Sequence, residues 1–272
     1  MATTDTKNHT VKKFDDELKA LNHMVARMGG RAENQLNSAI TALVQRNAEL
    51  AGRVVEGDAE IDVAEQQIAE HAVRTLAKRQ PMATDLRDII GALKISTDLE
   101  RIGDYAANVA KRAIALSQMP AIRLAGPIQR MGRLTQQLVK SVLDAFIERD
   151  DAVARHVWES DAEVDEMYNS LFRELLTYMM EDPRNISACT HMLFIAKNIE
   201  RIGDHTTNIA ETIHFMVTGS YLIDQRPKSD TASFAVMDRP RDASAPDPDD
   251  GAAKAEDEPE DAPDESRAEP ER

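Results

Sequence analysis

The sequence predicts an all-α fold: two repeated three-helix bundles, six long helices in all, followed by a disordered acidic C-terminal tail. Three observations predict it. Apolar residues recur at steps of three and four up to about position 220, the period of a one-sided helix. Helix breakers are scarce over the same stretch, because most of the 11 prolines lie beyond position 225. Four sequence landmarks then recur in the same order at a nearly constant offset, which marks an internal repeat.

The elements follow in order. Leu18, Leu21, Val25, Met28, Ala32, Leu36, Ile40 and Leu43 place a first helix over 14–44. Gly29-Gly30 interrupts it at roughly 1 kcal/mol per glycine, so it marks a weak or close-packed point. A second helix is expected from about Glu49 to Lys78, ended at Arg79-Gln80-Pro81 because proline cannot extend a helix. Thr84 or Asp85 offers the N-cap of a third. That helix carries Leu86, Ile89, Ile90, Leu93, Ile95, Leu99, Ile102, Ala106 and Val109 and stops near Met119-Pro120.

The order then repeats. Arg130-Met131-Gly132 echoes Arg27-Met28-Gly29, and Asp161–Asp165 echoes Asp58–Asp62. Asp182-Pro183 echoes Gln80-Pro81, and Glu200–Asp204 echoes Glu100–Asp104. One bundle is therefore expected over 10–119 and a second over 120–222, with short connections that favour antiparallel neighbours. From 225 to 272 the apolar period is lost and Pro, Asp, Glu and Ala dominate, a composition with too little apolar surface to offset ordering. Residues 238–272 hold 14 acids against 5 bases.

Charge and cysteine content narrow the function classes. A net charge of −15 argues against broad contact with nucleic acid. The single cysteine, Cys189, excludes an intrachain disulfide and a cysteine-based zinc site. The polar N-terminus shows no secretory signal, and no window reaches the ~18 uninterrupted apolar residues of a membrane span. Action at a membrane is thus expected only through a partner, with no direct insertion.

Both third helices carry the same oxygen-bearing face. Glu100, Asp104 and Asn108 stand at i, i+4 and i+8, as do Glu200, Asp204 and Asn208. That spacing aligns three side chains along one side of a helix. Glu and Asp at i, i+4 repel by a few tenths of a kcal/mol, and a cation between them reverses the sign. Carboxylate and amide oxygens suit hard or borderline cations. Arg101, Arg201, Lys94 and Lys197 stand close by, so ordinary salt bridging explains the same acids equally well at this point. Gly103 and Gly203 permit close approach of something to the helix, a neighbouring helix as readily as a metal. Asp58, Glu60 and Asp62, repeated as Asp161, Glu163 and Asp165, are candidates to face the motif from the second helix. Asp62, Asp165, Asn108, Asn208 and His205 are the candidate additional ligands.

The run Gln80-Pro81-Met82-Ala83-Thr84-Asp85-Leu86-Arg87, then Ala92–Ile95 and Asp98–Asp104, strongly resembles the signature of the PhoU family. Lys197–His205 resembles its second-repeat signature, and the resemblance covers about Lys12 to Thr218. It implies a pair of three-helix bundles and a regulator without catalytic turnover. Such proteins repress the phosphate-starvation response. They link the ATPase subunit of the phosphate-specific ABC transporter to a sensor histidine kinase, which places them in the cytoplasm, peripheral to the inner membrane through partners. A homodimer is also expected. The family's Glu/Asp-x-x-x-Asp motifs bind metal clusters. Carried over, the ligands are Glu100, Asp104, Glu200 and Asp204, and the ion is iron, manganese, magnesium or zinc. The acidic tail lies outside the family pattern. Two other readings compete: a helical adaptor whose acids only make salt bridges, and an iron-storage-like bundle. The latter needs a Glu-x-x-His motif on each of two helices, which this chain does not supply.

Overall fold

Among the described residues, amphipathic periodicity becomes seven α-helices: α1 (Thr3–Gln45), α2 (Ala48–Gly57), α3 (Ala59–Arg79), α4 (Thr84–Ser117), α5 (Ala125–Glu148), α6 (Asp151–Glu181) and α7 (Ile186–Thr218). A 3-10 turn, Pro183–Asn185, leads into α7, and there is no strand among the described residues. The computed structural model describes residues 3–79, 81–121 and 125–222; the acidic tail expected over 225–272 lies outside them. None of these helices is long and apolar enough to cross a membrane.

The helix expected from about Glu49 to Lys78 is two segments, α2 and α3, meeting at Asp58. Gln35 on α1 accounts for the break. Its Nε2 donates to the Val54 carbonyl at 3.3 Å and to Asp58 Oδ1 at 3.0 Å. It thereby engages the carbonyl that an unbroken helix would offer to the Asp58 N–H, and a side chain inserted in that ladder kinks a helix. In the second repeat Leu138 stands at the Gln35 position, and α6 runs unbroken from 151 to 181. The third helix also begins differently from expectation. Its capping position is Ala83, at φ 51° and without a side-chain cap, while Asp85 lies in the first turn, where a negative charge favours the helix dipole.

Each repeat turns from its first helix to its second in the same way. Arg46 and Arg149 take left-handed φ values of 53° and 56°. Asn47 and Asp150 follow as N-caps, accepting from the N–H of Leu50 and from those of Ala152 and Val153. The two arginines then reach different targets. Arg46 donates to the carbonyls of Ser117 and Met119 at the end of α4. Arg149 grips Asp88 of α4 with two bonds, 2.9 and 2.8 Å, tying the second repeat to the first; a planar fork on a carboxylate is the strongest such geometry.

The repeats meet along α1–α5 and α4–α7. At α1–α5 the contact is reciprocal. A Cβ at Gly29 would lie 2.3 Å from Leu143 Cδ2, and one at Gly132 would lie 2.4 Å from Ile40 Cδ1. Gly29 matches Gly132 and Ile40 matches Leu143 under the repeat, so the contact has two-fold character. Gly29 is therefore a close-packed point, whereas Gly30 has open space beside it. Trp158, at the position of Val55 in the first repeat, is a packing residue. It is buried, and its Nε1 donates to Glu211 at 2.9 Å.

Neighbouring glycines should consequently respond in opposite directions. Gly29→Ala is expected to destabilise by about 1–3 kcal/mol through overpacking. Gly30→Ala is expected to stabilise by about 1 kcal/mol through helix propensity alone. Urea unfolding of the two variants measures this, and effects of the same sign would contradict the packing described.

Candidate metal-binding faces

Bare backbone at Gly103 and Gly203 positions the acids. A Cβ on Gly103 would lie 2.9 Å from Ile61 Cδ1 and 3.4 Å from Asp58 Oδ1. One on Gly203 would lie 2.5 Å from Asp161 Oδ1. What approaches each glycine is thus the neighbouring helix, and it brings an aspartate with it. The acids of α4 consequently meet those around the α2–α3 junction, and the acids of α7 meet those of α6.

In the first repeat this face holds Glu100 and Asp104 with Asp58 and Asp62. Burial pushes the Glu100 carboxyl up, with Asp104, Asp62 and Glu65 adding repulsion against Arg101. Burial likewise pushes Asp58 up against its hydrogen bond from Gln35, with Asp104 and Asp62 adding to the rise. Arg101, half exposed, bridges Glu100 at 3.3 Å and Asp104 at 3.2 Å. Exposed pairs of this kind are worth about 0–1 kcal/mol, so they only partly offset the crowded charge. Asn108 lies one turn further along, half-buried.

The second face is drier. Glu200, Asp161 and Asp165 are 4%, 1% and 3% exposed, and Asp204 is half-buried. Lys197 Nζ bonds Glu200 Oε1 at 2.8 Å and also sits 4.8 Å from the centre of the Tyr168 ring. The other oxygen, Oε2, is buried with no hydrogen-bond partner. Burial pushes this carboxyl up to about 7, against Lys197 and with help from Asp204 and Asp165. A sealed carboxylate oxygen lacking a donor costs about 1–3 kcal/mol or more, and a bound cation would satisfy it. The donor set on both faces is all oxygen, which fits a hard cation. Among the described residues no three His, Cys, Asp or Glu side chains close to ligating distance around one point.

His205 and Asn208 are brought together elsewhere. His205 Nδ1 lies 2.8 Å from Asp98 Oδ1, and Asn208 Nδ2 donates to the same oxygen at 3.3 Å. Asp98 belongs to α4, so both residues bridge the α4–α7 seam between the repeats. The Tyr105 ring lies there too, tilted at 32° with its centre 5.6 Å from that of His205. The chain has a single Glu-x-x-His, Glu211–His214, and both ends are engaged structurally. Glu211 holds Trp158, and buried His214 lies 2.5 Å from Asp151.

A model of the PhoU domain matches the chain twice, at residues 25–113 and 128–213. The chain is similar to the phosphate-specific transport system accessory protein PhoU homolog of Caulobacter vibrioides. The two are 54% identical over 226 residues, which cover 83% of this chain and 98% of the relative. The homolog from Rhizobium meliloti is 51% identical over 227 residues, 83% of this chain and 95% of that one. Among solved structures, PhoU from Pseudomonas aeruginosa superposes with a TM-score of 0.75 at 43% identity, covering 76% of this chain and 100% of its own. The phosphate transport system regulatory protein PhoU from Streptococcus pneumoniae gives 0.72 at 28% identity, covering 77% and 99%.

Glu200 makes a pH signature. Its folded pKa of about 7 stands above the ordinary 4.5, so between those values the folded state keeps a proton that the unfolded state has lost. Its contribution is fully present below pH 4.5 and is lost as pH rises through about 7, roughly 3 kcal/mol in all. In chelator-treated protein, Glu200→Gln should remove that loss, so the variant gains on wild type as pH rises from 5 to 8. Urea titrations across this range check it; a parallel offset at every pH would contradict the assignment.

Proposed function

Because the chain belongs to the PhoU family, we propose that it is an accessory regulator of phosphate uptake that represses the phosphate-starvation response when phosphate is ample. The observation that carries this reading is the double match of the PhoU domain, supported by relatives named as phosphate-specific transport accessory proteins. In the finer reading it works by protein contact rather than turnover, as a homodimer. It joins the ATPase subunit of the phosphate ABC transporter to a sensor histidine kinase, at the cytoplasmic side of the membrane.

Cations held on the two acid faces complete the proposal. Glu100 and Asp104, with Asp58 and Asp62, would hold one group. Glu200 and Asp204, with Asp161 and Asp165, would hold the other. What supports this is the all-oxygen donor set and the unsatisfied buried Glu200 Oε2. A divalent or trivalent ion such as iron, manganese, magnesium or zinc would neutralise the facing carboxylates and fix α4 against the α2–α3 junction and α7 against α6. Arg101 and Lys197 hold the acids in reach in the meantime. His205 and Asn208 keep their bonds to Asp98 and position the seam.

Two measurements test the proposal. Deleting the gene should derepress a phosphate-response reporter at high phosphate, and wild type should restore repression. Normal repression without the gene would remove the regulatory reading. In equilibrium dialysis with Mn²⁺ or Fe²⁺, the variant carrying Glu100→Gln, Asp104→Asn, Glu200→Gln and Asp204→Asn should lose binding by about 100-fold or more, equivalent to about 2.7 kcal/mol. Unchanged metal content would show that the acids serve only as salt bridges.

A further inference from the structure

A trough runs along α1 where it meets α3 and, further on, α2, and none of the α4 acids lines it. Two cavities of about 540 and 310 Å³ adjoin there and share Arg31 and Glu60. The floor is mostly apolar: Met28, Val54 and Ile61 are buried beside the polar Gln35, Met24 and Leu50 are half-buried, and Val63 is 50% exposed. The rim is basic, with Arg27, Arg31 and Arg53 all exposed. In a chain of net charge −15, three guanidinium groups around one apolar floor are a local reversal of sign.

These arginines are only lightly engaged. Arg31 donates to the Glu60 carbonyl at 3.2 Å and stands 3.7 Å from its carboxylate, with side chains 42% and 71% exposed. Arg53 pairs with Glu49 at 2.7 Å, one turn away on the same helix, with side chains 58% and 87% exposed. Such pairs are easily exchanged for a better carboxylate partner.

The duplication supplies an internal control. Gly29 with Gly132, and Asp58 with Asp161, fix the register between the repeats. In that register Arg31 corresponds to Leu134 and Ala64 corresponds to Met167. Both second-repeat residues pack against the core. The same seam therefore carries two large apolar side chains in one repeat, and a charged head and a methyl group in the other. The deep floor is buried in both copies, but the first leaves Met24, Leu50 and Val63 partly exposed above it, beside three arginines and Glu60.

We propose that this trough seats an acidic amphipathic helix of a partner protein, its apolar stripe on the partly exposed Met24, Leu50 and Val63 and its carboxylates on Arg27, Arg31 and Arg53. A helix laid in a groove of this kind is a recurring mode of recognition. The lining of α1 extends from Met24 to Ser38, about 20 Å at 1.5 Å per residue, enough for about four turns of a partner helix.

The test uses the full chain and a fluorescent peptide of about 18 residues, an amphipathic helix of Glu and Leu, with its Lys and Leu counterpart as control. Anisotropy should show the Glu peptide binding at least about tenfold more tightly than the Lys peptide. Arg31→Leu with Ala64→Met, which installs the second-repeat residues, should weaken the Glu peptide by about tenfold or more. If that variant fails to fold, the exposed pair Arg27→Glu with Arg31→Glu asks the same question without touching the floor. A photoreactive residue in place of Val63 should cross-link the Glu peptide. In cells it should cross-link a partner segment of negative charge and helical apolar period. The proposal is overturned if the Glu peptide does not bind, if both peptides bind alike, or if the folded variants bind normally. It is also overturned if Val63 cross-links to a second copy of this chain or to its own residues 223–272.

Discussion

Asp161 rests against bare α7 backbone at Gly203, and Asp58 approaches α4 beside Ile61 at Gly103. A methyl group at Gly203 would lie 2.5 Å from the Asp161 carboxylate, inside any permissible contact. Everything about the acid faces depends on that missing Cβ. It lets α6 lie close enough for Asp161 and Asp165 to be buried beside Glu200. Burial then makes the charges costly and leaves an oxygen of Glu200 without a donor. A mid-helix glycine is a cost of about 1 kcal/mol in helix propensity, and here the return is a juxtaposition of like charges that no isolated helix would tolerate.

The two repeats apply this device differently. In the first, Gln35 opens the chain between α2 and α3 and holds Asp58 by a hydrogen bond, and the acids remain partly hydrated under Arg101. In the second, Leu138 replaces Gln35, α6 stays continuous, and Lys197 lies over Tyr168 with its ammonium on Glu200. One face is wet, kinked and screened by an exposed guanidinium. The other is dry, straight and neutralised from within. Their affinities for a cation need not match, because removing water strengthens both the attraction of an ion and the repulsion it must overcome.

Much of this was legible in the sequence. Period and punctuation revealed the helices, and the doubled Glu-Arg-Ile-Gly-Asp segment located both faces, because i and i+4 share a side of any α-helix. The acids of the second helix were legible as candidates through their own repetition. What stayed hidden depends on partners distant along the chain. Gln35 reaches a carbonyl 19 residues away, so no local pattern could announce the break at Asp58. His205 follows Asp204 directly and reads as a neighbour of the acid face. A helix turns about 100° per residue, and that rotation carries it to Asp98 on another helix 107 residues earlier. The start of α4 failed for a different reason: Thr84 and Asp85 are good caps by type, but the backbone turns at Ala83 instead.

The reciprocal contact between α1 and α5 has a historical meaning. A glycine notch that receives a branched side chain, paired with its mirror across a two-fold axis, is the geometry of an isologous dimer. A half-length ancestor with one notch and one aliphatic knob would have matched a copy of itself. With both copies in one chain, the pairing holds at any concentration and the two halves need not be identical. The copies do differ position by position: an amide in one and leucine in the other, alanine in one and methionine in the other. The divergence that distinguishes the two faces was available only once the symmetry no longer had to be rebuilt from two identical chains.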